Sequence, residues 1–239
     1  MNTFTPKQKA VSCVLKIVVI FSAILGTFLS AYAGRHSFMG GSRVFMYFTI
    51  QSNIAIAIIC AAGLIGLFRN KSVSDLWWVI KFVGTVSITL TGAVFCFVLA
   101  PTLGNAAWNL QNILTHVVVP VAAIIDFFVV GVSSDIKKRN TFWVIVPPML
   151  YAVYAGIGYV ENWQFAEGYN YPYFFLNWGS PAGAFGFTDE LPLMGCAWWI
   201  ISLFVVLLIV GYLYLKIVDI LKPKGLRIGI RLNSLYEER

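Results

Sequence analysis

The chain has 239 residues, 59% of them hydrophobic and 11% charged, with a formal net charge of +7; a soluble domain carries about 25% charged residues. That composition, with a mean hydropathy of +0.79, excludes a water-soluble globular protein and indicates one embedded in a bilayer. The positive charge is spread over loops and termini, which argues against a nucleic-acid partner and for a record of membrane topology.

Crossing the roughly 30 Å hydrocarbon core takes about 20 helical residues. Apolar runs of that length occur, in chain order, at about 11–33, 44–68, 76–100, 108–131, 142–160 and 192–216. They leave no room for a soluble domain, so 1–239 is predicted to be one all-α domain, a six-transmembrane-helix bundle. The first run ends in "SAYAG", a small-x-small pattern of the signal-peptidase kind at Ala33. Reading it as an uncleaved helix keeps an even number of spans and satisfies the charge rule at every loop. Lys7, Lys9 and Lys16 open the first span, Arg69, Lys71 and Lys81 surround the second loop, and Lys137, Lys138 and Arg139 fill the fourth. With the basic tail 217–239 they mark the cytoplasmic side. The opposite side holds Arg35, Arg43 and an external loop 161–191 with four acidic residues, Glu161, Glu167, Asp189 and Glu190, and no Lys or Arg. Both termini are therefore expected in the cytoplasm. Cys13, Cys60, Cys96 and Cys196 have neither a disulfide-framework nor a zinc spacing, and no metal is expected.

The polar residues inside the spans carry the functional information. On the second span Thr49 and Asn53 share a face, Ser52 lies beside them and Gln51 points away. On the fourth, Asn109, Asn112 and His116 form one stripe. Measured at 1.5 Å per residue, Thr49 lies about 8 Å below a helix start near Val44, and His116 about 12 Å below a start near Trp108, so the two meet in one leaflet. Asp126 lies about 15 Å beyond His116 and is turned away from it. Pro120 removes the donor that would bond the His116 carbonyl and crowds it, which opens the helix at His116; a plain packing kink is the alternative.

A hydroxyl beside an imidazole is the minimal pair for acyl transfer, with Thr49 as nucleophile and His116 as general base. Ser52, Asn53 or freed backbone amides are candidate oxyanion donors, and Asn109 and Asn112 a candidate water path. Against this stands the habit of membrane threonines of bonding their own backbone. The external loop contains "YNYPYFFLNWGSPAGAFGF", which suits either an aromatic belt at the interface or a lid over an external cavity. Tyr173 and Trp178 are its candidate substrate contacts.

"YFTIQSN" in the second span, "LTHVVVPVAAIID" in the fourth and "YPYFFLN" in the fifth loop resemble the androgen-induced / FAR-17a-like six-span membrane proteins, including bacterial relatives, over about residues 11–217. The resemblance implies a threonine hydrolase of fatty-acid esters of hydroxy fatty acids, or of similar lipid esters, with Thr49 and His116 at the family's Thr and His positions. It also implies residence in a bacterial cytoplasmic membrane. Such chemistry needs no cofactor, and the expected partners are membrane lipids or a lipid-ester substrate. The competing reading is a non-enzymatic lipid-binding or transport protein in which Asp126 matters more than Thr49. A bis-His haem protein would need paired ligands, and the sequence offers only His36 and His116.

Overall fold

A computed structural model describes residues 4–35, 41–69, 74–131 and 136–222. His36, Lys71 and the tail beyond Lys222 lie outside the described residues. The described chain is all-helical, and six helical stretches are long and apolar enough to cross a bilayer: Pro6–Gly34, Phe48–Phe68, Asp75–Ala107, Leu110–Gly131, Lys138–Val160 and Cys196–Leu221. Each matches one expected apolar run, which supports an integral membrane protein.

Helix α1 (Pro6–Gly34) starts where the sequence stops it cheaply: Thr5 caps the Gln8 amide, Gln8 returns a bond to the Thr5 amide, and Pro6 fills the first turn. The second span is shorter than its hydrophobicity suggests. A tight turn at Ser42–Met46 is followed by extended Tyr47 (φ −91°, ψ 139°), and α2 runs only from Phe48 to Phe68. Tyr47 leaves the helical conformation with its ring buried beneath the loop 161–191, where its hydroxyl donates to the Phe165 carbonyl at 3.2 Å. Thr49 therefore lies in the first turn of α2, not some 8 Å inside a helix begun at Val44.

The third span begins as α3 (Asp75–Val94), capped by the Ser74 side chain on the Trp77 amide. It widens into a π turn at Phe95–Leu99 and ends in α4 (Ala100–Leu103) and a tight turn at Gly104–Ala107. The fourth comprises α5 (Leu110–Ile113), a second π turn at Leu114–Val118 and α6 (Val119–Gly131). An eight-residue 3₁₀ helix at Lys138–Ile145 opens the fifth span and continues as α7 (Val146–Val160), and α8 (Cys196–Leu221) completes the bundle.

Helices α1, α2, α3 and α6 pack against one another around Val19, Ala23, Ile56, Ile88, Val119 and Ala123. Phe82, Phe127, Leu207 and Tyr214 join α8 to this group through α3 and α6. Helix α7 packs on the loop 161–191 through Phe174–Leu176 and on the start of α2 through Tyr151, whose ring meets Phe48 at 5.3 Å and whose hydroxyl donates to the Met46 carbonyl at 3.1 Å. Large apolar side chains on the outer faces, Phe21 and Phe28 among them, suit contact with lipid tails.

Two lysines have a different use from the one their sequence positions suggest. Lys16 of α1 and Lys81 of α3 are buried and converge on Asp126 of α6, which is fully buried. Lys16 Nζ reaches the two carboxylate oxygens at 2.7 and 2.8 Å, Lys81 Nζ donates to Oδ2, and the Ser12 hydroxyl donates to Oδ1. A carboxylate inside a helix bundle requires such partners, and long lysine stems let both ammoniums reach it from neighbouring helices.

Candidate functional site

The π turn at Leu114–Val118 builds the site. A π turn uses bonds to the fifth residue instead of the fourth and places one extra residue in the turn, a feature that often accompanies function. Two residues beyond it is Pro120, which has no N–H to return to the His116 carbonyl. Two glycines let neighbouring helices hold the turn closely. A Cβ at Gly26 of α1 would meet Thr115 Cγ2 at 2.6 Å, and one at Gly92 of α3 would meet the His116 carbonyl oxygen at 2.9 Å.

His116 is buried, and its ring stacks on Phe95 of the other π turn, with centroids 3.8 Å apart and planes at 23°. Its Nδ1 lies 3.0 Å from the Asn112 carbonyl oxygen and 3.0 Å from Thr115 Oγ1. A carbonyl only accepts, so Nδ1 carries the proton. The Thr115 hydroxyl already donates to the Gln111 carbonyl at 2.8 Å, so its oxygen accepts from the same N–H. In the neutral ring Nε2 is then an unprotonated acceptor. The backbone of Asn112, rather than its side chain, fixes this tautomer, while the Asn112 amide group donates to the Ala107 carbonyl at 2.9 Å.

Thr49 and His116 line one cavity of about 420 Å³, together with Asn112, Thr115, Phe95 and Tyr173. Among the described residues no hydrogen bond joins Thr49 to His116. Thr49 bonds instead to Tyr173, whose hydroxyl oxygen lies 3.4 Å from both the Thr49 amide nitrogen and Thr49 Oγ1. The first-turn amides of a helix have no partners within it, and the Tyr173 oxygen accepts from one of them. Burial pushes the Tyr173 hydroxyl up from its ordinary value, against the opposing pull of its bonds to Thr49, so it remains a proton donor at neutral pH. Tyr173 stacks on Phe175 at 5.1 Å and meets Tyr47 edge-on at 5.6 Å. A smaller apolar chamber of about 60 Å³ opens on the other side of Thr49 and Tyr173, walled by Phe48, Val94, Tyr151 and Leu203.

The loop 161–191 folds over this end of the bundle. Ala166, Tyr169, Tyr171, Pro172, Tyr173 and Phe174 all form cavity wall, and Phe165 is fully buried. The loop thus takes the form of a cover, with Phe165 and Phe175 buried beneath it and Phe185 and Phe187 exposed on it.

The remaining expected site residues have other positions. Ser52 Oγ and Asn53 Nδ2 both donate to the Thr49 carbonyl, at 3.0 and 2.8 Å. Ser52 also pairs with Thr91 at 2.7 Å, and Asn53 bonds the Thr115 carbonyl at 3.1 Å. These two side chains tie the first turn of α2 to α3 and to the π turn; neither lines the cavity. Asn109 caps α5 by accepting from the Asn112 amide at 2.9 Å; with extended backbone (φ −88°, ψ 167°) it precedes the helix and does not line the cavity. Trp178 is not part of the cavity wall, and its buried indole N–H has no hydrogen-bond partner among the described residues. Thr115 and Phe95 were not foreseen. Thr115 was available as the hydroxyl preceding the histidine, whereas Phe95 carried no signal in sequence.

Chemically, the arrangement holds a threonine hydroxyl, a neutral imidazole with a fixed tautomer and a phenol donor around a largely apolar cavity. Comparison with known protein families, curated proteins and solved structures returns no match.

Proposed function

We propose that this protein is an intramembrane lipid-ester hydrolase with Thr49 as nucleophile and His116 as general base. The observation that carries the reading is that both residues line one cavity while His116 keeps Nδ1 protonated on the Asn112 carbonyl, so that Nε2 can accept a proton. An ester entering the cavity is attacked by Thr49 Oγ as Nε2 takes the hydroxyl proton. The tetrahedral oxyanion is met by the Tyr173 hydroxyl and the first-turn amides of α2. His116 returns the proton to the departing alkoxide, which leaves as an alcohol. Water, deprotonated by His116, then attacks the acyl-threonine, releases the carboxylic acid and restores Thr49. That no hydrogen bond joins Thr49 to His116 among the described residues is compatible with this, because catalytic hydrogen bonds often tighten only when substrate binds.

The resemblance to the androgen-induced / FAR-17a-like proteins supports the same pair and suggests fatty-acid esters of hydroxy fatty acids as the substrate class. The charge distribution supports cytoplasmic termini, which sets the site towards the external side of a bacterial cytoplasmic membrane. The transport alternative rests on Asp126, and that carboxylate is occupied by Lys16, Lys81 and Ser12, which favours a structural role for it. The test is hydrolysis of branched fatty-acid esters by purified wild type, Thr49→Ala, Thr49→Ser and His116→Ala. Activity in wild type, reduced in Thr49→Ser and lost in both alanine variants, is expected; full activity in folded Thr49→Ala contradicts the reading.

A further inference from the structure

Helix α8 sets a depth scale for the bilayer. It has no charged residue from Cys196 to Leu215, and exposed Lys216 follows twenty residues after Cys196. That is about 30 Å of helix at 1.5 Å per residue, the thickness of a hydrocarbon core. Trp198, Ile201, Val205 and Ile209 recur at helical spacing and are all exposed, so they form one outward stripe that faces lipid. One edge of the core therefore lies near Cys196, with Trp198 just inside it.

The segment 183–195 is built against this edge. Its two arms are joined by a bridge between Phe187 and Met194 and by the Thr188 amide, which donates to the Leu193 carbonyl at 2.9 Å. It is also fixed to α8. The Cys196 and Ala197 amides, which have no partners within the helix, donate to the Gly183 and Ala184 carbonyls at 3.1 and 3.0 Å, and the Trp198 indole N–H donates to the Phe185 carbonyl at 2.9 Å. Phe185 and Phe187 set their rings against Trp198, with centroids at 5.8 and 6.4 Å. Both side chains are otherwise bare, at 64% and 73% exposed, comparable to Phe21 and Phe28 on the outer face of α1. The segment's only charged residues, Asp189 and Glu190, are exposed and sit in the turn beyond the bridge.

We propose that the segment 183–195 is an interfacial wedge whose partner is bilayer lipid: Phe185 and Phe187 insert among the acyl chains next to the headgroups, while Asp189 and Glu190 hold the turn in the aqueous phase. An exposed apolar patch marks a contact surface, and continuity with the α8 stripe identifies what covers this one, the same leaflet that covers Trp198 and Ile201. Aromatic side chains suit that depth, and a carboxylate in hydrocarbon is costly, which keeps the turn outside. The loop that covers the Thr49 cavity runs directly into this segment, so the leaflet holds one end of the cover. The insertion itself is independent of any chemistry at Thr49.

The test is electron paramagnetic resonance of single nitroxides carried on p-acetylphenylalanine, introduced in turn at Phe187, Asp189 and Val205. All three side chains are exposed, so the labels disturb no packed contact in the core. The full chain is held in phosphatidylcholine nanodiscs with one protein in each. Relaxation by oxygen, which concentrates in lipid, is compared with relaxation by a water-soluble nickel chelate. The oxygen-to-nickel ratio at position 187 should exceed that at 189 several-fold and fall below that at 205, which lies deeper along α8. A ratio at 187 equal to that at 189 places this side chain in water and overturns the proposal. Protection of 187 from both reagents, the mark of a protein cover, overturns it as well.

Discussion

Replacing Asp126 by Asn keeps the shape of the side chain and removes the anion that Lys16 and Lys81 share. Both lysines are buried, and Asp126 has no exposed surface, so water offers little compensation. Breaking a buried ion pair by deleting one partner costs about 3–5 kcal/mol. With about 2–4 °C of melting temperature per kcal/mol for a chain of 150–250 residues, the midpoint should fall by roughly 6–20 °C. Thermal unfolding of wild type and Asp126→Asn, followed by circular dichroism in one detergent, measures this. The combined variant Lys16→Met, Lys81→Met, Asp126→Leu should recover most of the loss, because a buried ionic cluster replaced by well-packed apolar residues is often neutral or stabilising. Turnover per folded molecule should be unchanged in both, since Asp126 lies about 15 Å along the helix from His116. A drop of under about 2 °C in Asp126→Asn would refute the reasoning that the carboxylate is ionised and holds α1, α3 and α6 together.

Tyr173→Phe removes the phenol donor and leaves the ring contacts with Tyr47 and Phe175. It should lower kcat by about 100-fold with little change in KM, the usual result of losing one oxyanion donor; steady-state kinetics on a lipid ester check it. Gly92→Ala places a methyl group 2.9 Å from the His116 carbonyl and 3.1 Å from the Pro120 ring. Overpacking of this kind destabilises by about 1–3 kcal/mol, and because the strain falls on the π turn, specific activity should fall together with the melting temperature. Phe95→Leu, which removes the ring stacked on His116, should reduce activity more than stability when both are measured on one preparation.

The six spans were legible because a bilayer imposes length and hydrophobicity on any helix that crosses it. Their internal irregularities were less so. Pro120 pointed to an opening at His116, and the π turn lies there, but periodicity on a straight helix could not show that the helix begins only after Asn109, which caps it. Tyr47 reads as one more aromatic residue in an apolar run, yet docking its ring under a loop over a hundred residues away ends the helix and moves Thr49 into its first turn. Lys16 and Lys81 fit the topology rule as well as loop lysines do, because side chains of that length near a helix end can turn outward to water or inward to an acid. Only their common approach to Asp126 separates the two uses. Thr49 and His116 were singled out by residue type and helical phase and Tyr173 by the aromatic make-up of its loop, and the three line one cavity; the Asn112 carbonyl that sets the imidazole tautomer belongs to the backbone and leaves no mark on the sequence.

The most direct test of the central claim is to treat the purified protein with a fluorophosphonate and map the adduct by tandem mass spectrometry. The account predicts a single phosphonylated residue, Thr49, in wild type, with labelling strongly slowed in His116→Ala and absent in Thr49→Ala. An adduct on another residue, or equal labelling of folded Thr49→Ala, would contradict it.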